Sequence, residues 1–209
     1  LVNNTQRQQT YHYHICPRPD MLKEMIPYFA QDSKIAIVQS PQFFTLERGQ
    51  SLVEKGAAYV QELFYRMVQT NRDTWGASIC VGTCALYRRS MLEPHGGTYA
   101  IEYSEDMHTG WQMLVDGFKV KYIPLNLSKG ACPDTAAAYF IQQLRWCTGS
   151  TSLLTSKKFW QHRMPFMQRI CYMSGMLYYV ATAVSVVLSP IPAILVLAFR
   201  PDQVHWFNY

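Results

Sequence analysis

The 209-residue sequence lacks features that would place it in several common classes of protein. No signal-peptide pattern precedes its six cysteines and no two of them form a C-x-x-C pair, so reduced thiols in a cytosol-facing domain are the simplest interpretation. The net charge of +5 is modest and the basic residues form no arginine-rich run, which argues against a nucleic-acid partner. Internal repeats and low-complexity segments are absent from the sequence, which argues against a solenoid.

Ionisable acids and bases, apart from neutral Cys and Tyr, are also absent from 170–199, between Arg169 and Arg200. At 1.5 Å per residue, a helix of this length exceeds the roughly 30 Å hydrocarbon core of a bilayer. The sequence SPIP interrupts the stretch, so we predict a spanning helix over 170–188 and the start of a second segment over 193–199. The alternative is a buried core helix of a soluble protein, but such helices are usually shorter and less uniformly apolar.

Positive charges and aromatic rings are interleaved directly before this apolar stretch. Such a combination is typical of the cytoplasmic face of a membrane. We therefore predict an interfacial segment over 157–169 that leads into a transmembrane region over 170–209. The residues concerned are Lys157, Lys158, Phe159, Trp160, Arg163, Phe166 and Arg169.

The preceding part of the chain has the pattern of alternating helices and strands. One predicted helix has apolar residues at helical spacing, with Leu52, Leu63 and Met67 in the stripe. The alternation predicts a layered α/β domain over 16–156, joined to a membrane anchor. The predicted helices cover 20–29 and 51–70, and the predicted strands cover 34–40, 77–89 and 119–125.

Two places in this domain carry polar groups suited to chemistry, and the first is the predicted helix in 103–118. Ser104 is the candidate N-cap, Glu105 and Asp106 lie in the first turn, and Gly117 is a stop signal. A carboxylate held at a helix N-terminus stays ionised and fixed in place, so it can accept a proton. The alternative is that both acids only complement the helix dipole, as first-turn acids commonly do.

The second place is a helix predicted from residue 133 to about 148. Gln142, Arg145 and Trp146 stand on one face of it, at i, i+3 and i+4. Arginine offers a planar fork for phosphate, glutamine can hydrogen-bond an oxygen, and tryptophan offers a flat apolar surface to a sugar ring. The alternative is an amphipathic helix with Trp146 packed inward and Arg145 extended into solvent.

Four motifs together resemble the processive family 2 glycosyltransferases, which include the cellulose, chitin and hyaluronan synthases. QQLRW at 142–146 fits their Q-x-x-R-W motif, and SED at 104–106 fits T/S-E-D. QSPQFF at 39–44 is similar to Q-T-P-Q-x-F of cellulose synthases, and VGTCALYRR at 81–89 is similar to their F-x-G-[ST]-x-A-x-x-R-R strand. The motif order and spacing agree, and the similarity covers nearly all of 16–199.

The resemblance implies a fold and a chemical mechanism. The expected fold is the C-terminal part of a GT-A-like glycosyltransferase domain, followed by a transmembrane α-helix. Asp106 falls on the family's catalytic base, which would deprotonate the acceptor hydroxyl as it attacks the anomeric carbon of the donor sugar with inversion. Gln142 and Arg145 would hold the donor diphosphate, and Trp146 would stack on the acceptor sugar.

Three more residues are substrate-binding candidates by the same resemblance. Glu105 belongs to the T/S-E-D motif, and Gly82 and Thr83 fall on the family's acceptor-facing turn. The implied partners are a UDP-sugar donor, a polysaccharide acceptor and the lipid bilayer, without nucleic acid. The implied location is a multi-pass integral membrane protein, expected in the plasma membrane, with its catalytic domain in the cytosol.

Two alternatives to a polysaccharide synthase remain open from the sequence. Ceramide glucosyltransferases share Q-x-x-R-W and a membrane anchor but add a single sugar to a lipid. A non-catalytic membrane homologue or partner subunit is the other alternative, because the uridine-binding half expected before residue 16 is absent from the sequence. The chain is accordingly expected to be a fragment of the catalytic domain with the membrane helix that follows it.

The resemblance fails at the beginning of the chain, where 1–15 is expected to be irregular or wrongly joined. Similar family members carry D-x-D here, which binds the Mg²⁺ or Mn²⁺ expected for the intact enzyme, but this chain has His12, Tyr13 and His14. Imidazoles substitute poorly for the carboxylate ligands of Mg²⁺. A zinc site of His12, His14 and Cys16 on one face of a strand is the alternative. We expect the chain as written to have no transferase activity.

Overall fold

The computed structural model describes residues 15–44 and 49–201. Short strands alternate with helices as far as residue 154, and two consecutive apolar helices close the described part. The strands are β1 (Cys16–Pro17), β2 (Ile35–Gln39), β3 (Phe43–Phe44), β4 (Ala85–Tyr87), β5 (Lys119–Tyr122) and β6 (Ser128–Gly130). The helices are α1 (Met21–Gln31), α2 (Leu52–Leu63), α3 (Thr70–Thr74), α4 (Arg89–Leu92), α5 (Glu105–Val115), α6 (Ala136–Leu154), α7 (Lys157–Gln161), α8 (Phe166–Leu188) and α9 (Pro190–Phe199).

Two three-stranded sheets organise the α/β domain. In the first, β2 lies between β4, which is antiparallel to it, and β5, which is parallel. In the second, β6 pairs with β1 in antiparallel and with β3 in parallel. All five residues of β2 are buried, as expected for a continuous apolar strand covered on both faces. The predicted strands at 34–40 and 119–125 are therefore present, as β2 and β5.

The strand predicted over 77–89 is much shorter than expected. Only Ala85–Tyr87 pairs in the sheet, as β4. Gly82 and Cys84 have positive φ angles of 72° and 54°, which do not fit an extended strand. The residues before β4 therefore form an irregular turn, whose far end is held by a 3.0 Å hydrogen bond from the Ser40 N–H to the Cys84 carbonyl.

The helix predicted over 51–70 is present, but its apolar stripe does not face the core. Leu52, Leu63 and Met67 are 88%, 56% and 58% exposed. A π-helical segment at Phe64–Gln69 continues α2, and the wider turn changes which residues point inward. The buried residues of α2 and this segment are Ala57, Ala58, Gln61, Tyr65 and Gln69.

The two apolar helices are almost continuous. Only Ser189 separates α8 from α9, and its φ and ψ of −59° and −34° are helical. Pro190 and Pro192 lie in the first turn of α9, where a missing N–H costs no internal hydrogen bond. The predicted interruption at SPIP is therefore slight. Within the described ranges, Phe166–Phe199 is the one helix long and apolar enough to cross a membrane, with a mean hydropathy of 2.3.

The segment predicted to lie at the membrane interface is partly built into the domain. Phe159 is fully buried and packs on Trp111, with ring centroids 5.2 Å apart. Arg169 lies over the Phe159 ring and donates a 2.6 Å hydrogen bond to the His162 carbonyl. Trp160 is half exposed. The segment therefore connects the domain to α8, and the prediction that Phe159 is an interfacial ring is wrong.

The first turns of α8 belong to the domain core. Tyr172 and Met176 are buried in one cluster with Ala77, Trp111 and Leu153. Polar contacts reinforce this packing. The side-chain amide of Gln168 donates a 2.6 Å hydrogen bond to the Gly76 carbonyl, and the buried guanidinium of Arg72 lies 3.3 Å from the Ser174 hydroxyl.

Candidate active site

The SED segment begins α5, as the sequence predicts. Ser104 is the N-cap residue, but its left-handed φ of 58° leaves its side chain without a capping hydrogen bond. The Asp106 Oδ1 instead accepts a 2.7 Å hydrogen bond from the Met107 N–H. Glu105 is exposed beside it. The two acids of the motif therefore differ in environment, and Asp106 is the partly buried one.

Burial raises the pKa of the Asp106 carboxyl to about 6. The Met107 N–H and the Arg145 charge act in the opposite direction, while the charge of Glu105 adds to the increase. The helix N-terminus favours the ionised form, but desolvation has the larger effect, so the carboxylate of Asp106 is less strongly favoured than that of an ordinary first-turn acid. A carboxyl that titrates near neutral pH is suited to accepting and returning a proton.

Gly82 lies directly against this carboxylate. Its φ is +72°, and a Cβ added there would lie 2.8 Å from the Asp106 Oδ2. Only glycine combines this conformation with this close approach. The backbone turn at Gly82 and Thr83 therefore forms one wall beside Asp106.

Two glutamines of QSPQFF support this turn, and sequence reasoning assigned them no role. The Gln39 side-chain oxygen accepts a 2.7 Å hydrogen bond from the Val81 N–H. The Gln42 side-chain amide donates a hydrogen bond to the Thr83 hydroxyl. Their signal in the sequence was the motif itself, in which glutamines flank Ser-Pro at the end of a buried strand.

The Q-x-x-R-W segment lies in the middle of α6. This helix begins at Ala136, later than predicted, because the Thr135 hydroxyl caps it by accepting a hydrogen bond from the Ala138 N–H. Arg145 is exposed and Trp146 is 39% exposed, so the alternative with Trp146 packed inward is wrong. The Gln142 side-chain oxygen is buried and has no hydrogen-bond partner among the described residues.

Contacts between α5 and α6 bring the two motifs together. A Cβ on Gly149 of α6 would overlap the Ser104 side chain, so the helices approach closely at this point. The charge of Arg145 acts on Asp106 across the junction. Within the described part of the chain, Gln142 and Trp146 form no hydrogen bond or ring contact with the other candidates.

A metal site is not apparent in the described residues. No group of three or more His, Cys, Asp or Glu side chains in 15–44 and 49–201 is placed to hold an ion. His12, Tyr13 and His14 lie outside these residues, as does all of the predicted irregular segment except Ile15. The groups available to the site are thus a carboxyl of raised pKa, a guanidinium, an amide and a half-exposed indole.

The domain has mixed sheets and helices, and the helices that carry SED and Q-x-x-R-W are in contact at Ser104 and Gly149. The chain belongs to the glycosyl transferase family group 2, whose family model matches residues 16–200. The family prediction and the α/β fold class are therefore confirmed.

The chain is similar to several cellulose synthases. The chain is 26% identical over 172 residues to the UDP-forming cellulose synthase catalytic subunit of Xanthomonas axonopodis pv. citri (strain 306), a match that covers 78% of the chain and 23% of the relative. It is 28% identical over 172 residues to the UDP-forming cellulose synthase catalytic subunit of Pseudomonas fluorescens (strain SBW25), again covering 78% and 23%. It is 30% identical over 178 residues to "Cellulose synthase 2" of Novacetimonas hansenii, covering 78% and 10%. The chain spans less than a quarter of the length of these relatives.

Proposed function

We propose that the protein carrying this chain is a membrane-bound inverting glycosyltransferase that transfers a sugar from a UDP-sugar to a growing β-linked polysaccharide. The observation that carries the proposal is the partly buried Asp106, whose carboxyl lies against the Gly82 turn and within the field of Arg145. The names of the cellulose synthase relatives support the substrate class.

In this mechanism Asp106 removes the proton from an acceptor hydroxyl. The hydroxyl oxygen forms a bond to the anomeric carbon of the donor while the bond from that carbon to the diphosphate oxygen breaks, which inverts the configuration. The leaving diphosphate takes the bonding electrons. Arg145 stabilises this negative charge, since a guanidinium can bind phosphate oxygens in pairs. The raised pKa of Asp106 suits proton transfer near neutral pH.

The remaining candidates bind substrate. Gln142 donates a hydrogen bond from its amide to the donor diphosphate, beside Arg145. The partly exposed Trp146 offers its ring face to the acceptor sugar. Gly82 and Thr83 hold the acceptor beside Asp106. Within the same motif, the exposed Glu105 lies at the edge of the site.

A divalent cation, Mg²⁺ or Mn²⁺, is expected for the intact family enzyme. The described residues do not provide a carboxylate cluster that fits one. The steps above therefore use only the side chains of this chain. The histidines at the D-x-D positions are the reason to expect that the chain as written transfers no sugar, even with Asp106 in place.

The proposed setting is the plasma membrane, in a multi-pass protein with its catalytic domain in the cytosol. The long apolar helix Phe166–Phe199 supports a membrane anchor. It begins within the catalytic core, so Q-x-x-R-W lies near the bilayer. A polymer made at this site would enter the membrane helices directly, without crossing open cytosol.

The test is incorporation of radiolabelled UDP-sugar by the complete protein in membranes, with Mg²⁺ or Mn²⁺ present. We expect Asp106→Asn to reduce polymer formation by about 10² to 10⁴-fold, the usual contribution of a general base. Asp116→Asn, an exposed acid at the other end of α5, is the matched control and keeps normal activity. Unchanged polymer yield in Asp106→Asn removes this residue from the mechanism.

The same assay separates the alternatives. A glycolipid as the sole product would favour single-sugar transfer to a lipid. Absence of transfer by the complete protein would favour a non-catalytic homologue. The 209-residue chain is assayed beside a complete protein that carries His12→Asp and His14→Asp, and we expect sugar transfer only from the latter. Transfer by the unaltered chain would show that the metal site is dispensable or formed by other residues.

A further inference from the structure

Two contacts hold α5 against α6 on either side of the catalytic candidate. Ser104 packs on Gly149, where a Cβ would leave no room. One turn later on α5, the His108 Nε2 lies 2.9 Å from the Ser152 Oγ. Positions 104 and 108 are four apart on α5 and positions 149 and 152 are three apart on α6, so each pair shares one helix face.

The direction of the hydrogen bond follows from its neighbours. The Ser152 hydroxyl donates to the Gly149 carbonyl at 2.7 Å, so its oxygen is left to accept a proton from the His108 Nε2–H. The imidazole is 8% exposed and stacks on the Tyr99 ring at a centroid distance of 5.3 Å. Burial lowers the His108 pKa and outweighs the opposing effect of a hydrogen bond from the ring to the Gly149 backbone, so the neutral ring is favoured. This histidine is therefore a fixed neutral donor.

The Ser104–Gly149 and His108–Ser152 contacts lie next to Asp106 but do not involve its carboxyl group. Asp106 lies between Ser104 and His108 along α5. Arg145 lies one turn before Gly149 along α6, on the same face. A shift of either helix at this junction changes the separation between the carboxyl and the guanidinium.

We propose that the His108–Ser152 hydrogen bond and the close helix approach at Gly149 together form a clamp between α5 and α6. This clamp sets the distance between Asp106 and Arg145. The proposal rests on the proposed function, since it assigns positioning residues to that reaction. The clamp holds the base of the acceptor reaction against the helix that binds the donor diphosphate. Neither His108 nor Ser152 touches substrate.

The clamp predicts a particular kinetic pattern in the complete protein in membranes. His108→Ala and Ser152→Ala should each lower kcat by about 10 to 100-fold, since small misplacements of reacting groups have effects of this size. Donor KM should change less than about threefold, because the donor-binding face of α6 is intact. The loss in the double variant should be smaller than the sum of the two single losses, because both substitutions remove the same hydrogen bond while each also removes a contact of its own.

Two further variants make the test specific. His108→Gln places an amide N–H where the imidazole Nε2–H was, and it should recover most of the lost kcat. His95→Ala removes an exposed histidine near the far end of α5, whose partner is Asp116, and it should leave kcat unchanged. Additive losses in the double variant, a loss confined to KM, or no recovery with His108→Gln would each overturn the positioning role.

Thermal melting of the 209-residue chain in detergent separates this proposal from the proposed function. His108→Ala and Ser152→Ala should each lower the Tm, and the decrease in the double variant should be smaller than the sum of the two single decreases. Additive Tm losses would overturn the clamp whether or not the protein transfers sugar. If the complete wild-type protein transfers none, the proposed function fails, and the melting cycle alone decides whether the hydrogen bond joins the helices.

Discussion

Asp106 shows at the scale of one residue how burial and a helix N-terminus compete. The helix dipole favours a charged carboxylate, but the loss of water around this side chain has the larger effect and raises its pKa to about 6. Most of the ionisable side chains around it are hydroxyl and thiol groups that are neutral at pH 7. Glu105 and Arg145 carry the charges that act on Asp106, and the charge of Asp106 in turn raises the pKa values of Tyr65, Cys80 and Tyr87.

The raised pKa predicts an acid limb in the rate profile of the complete protein. A base must be deprotonated to act, so kcat/KM should rise with pH and level off above about 6. An ordinary aspartate would place this limb near its reference pKa of roughly 3.9. A profile of kcat/KM between about pH 4.5 and 8.5 measures it, and activity that is flat down to about pH 5 would contradict the assignment.

The same shift predicts a pH-dependent stability that this chain can report without any assay of activity. The folded state binds the Asp106 proton more tightly than the unfolded state, so ionisation of Asp106 destabilises the fold as pH rises from about 3.8 to about 6. Asp106→Asn removes the charge. Its Tm should exceed that of the wild type at about pH 7.5 and approach it at about pH 4.5. Melting curves at both pH values in detergent test this, and an Asn variant that is less stable at the higher pH would disprove it.

The role of Gly82 beside Asp106 can be distinguished by mutation from that of a glycine that only permits a turn. Gly82→Ala and Gly117→Ala both place a side chain at positive φ, 72° and 84°, so both should lose stability by about 1 kcal/mol. Only the Gly82 substitution adds a methyl group against the Asp106 carboxylate, whereas Gly117 has open space. We expect polymer formation to fall by about tenfold or more in Gly82→Ala alone. Equal activity in the two variants would show that the approach to Asp106 is not needed.

At the scale of elements, the α5–α6 junction brings SED and Q-x-x-R-W together. Both motifs and their helices follow from the sequence, because caps, spacing and polar residues are local signals. The turn before β4 does not, because nothing in the local pattern places Cys84 in a left-handed conformation. The buried face of α2 could not be predicted from the sequence either. The core packs against small alanines of α2 and against the π-helical segment, and not against the apolar stripe that contains Leu52. Tertiary contacts decide these features.

A glycine substitution at the junction tests the helix contact. Gly149→Ala adds a methyl group that overlaps Ser104, so α5 must move away from α6. We expect a Tm lower by several degrees, as core overpacking typically costs about 1–3 kcal/mol, and a loss of polymer formation of about tenfold or more. Gly56→Ala is the control, because this glycine lies in α2 with open space around it and the change should raise the Tm slightly. The contact is unimportant if both variants melt above the wild type.

At the scale of the whole molecule, the described residues combine an α/β domain with one long apolar helix. Many side chains of Phe166–Phe199 are exposed, which water would disfavour and a bilayer would solvate. The family assignment was within reach of the sequence because four motifs occur in order. The contribution of α8 to the domain core could not be predicted from the sequence, because Tyr172 and Met176 do not differ in type from the other apolar residues of a membrane segment.

A charge placed near the middle of the apolar helix Phe166–Phe199 tests membrane insertion. Val184 and Val60 are 50% and 44% exposed, the first on α8 and the second on α2. Arginine near the centre of a spanning helix costs roughly 2.5–3.5 kcal/mol, so Val184→Arg should reduce the fraction of chain retained in membranes after alkaline carbonate extraction. Val60→Arg should be retained as well as the wild type. Equal extraction of the two variants would show that α8 does not span.

The place where α8 begins also decides when the domain can fold during synthesis. Ala77, Trp111 and Leu153 leave the ribosome well before Tyr172 and Met176, which complete their cluster. A domain can fold only after all of its core has emerged. In the proposed membrane protein, the apolar residues that follow Met176 are by then emerging as well, and the domain completes its core at the bilayer surface. A protease cut before Phe166 would leave the domain without Tyr172 and Met176, and thus with an incomplete core.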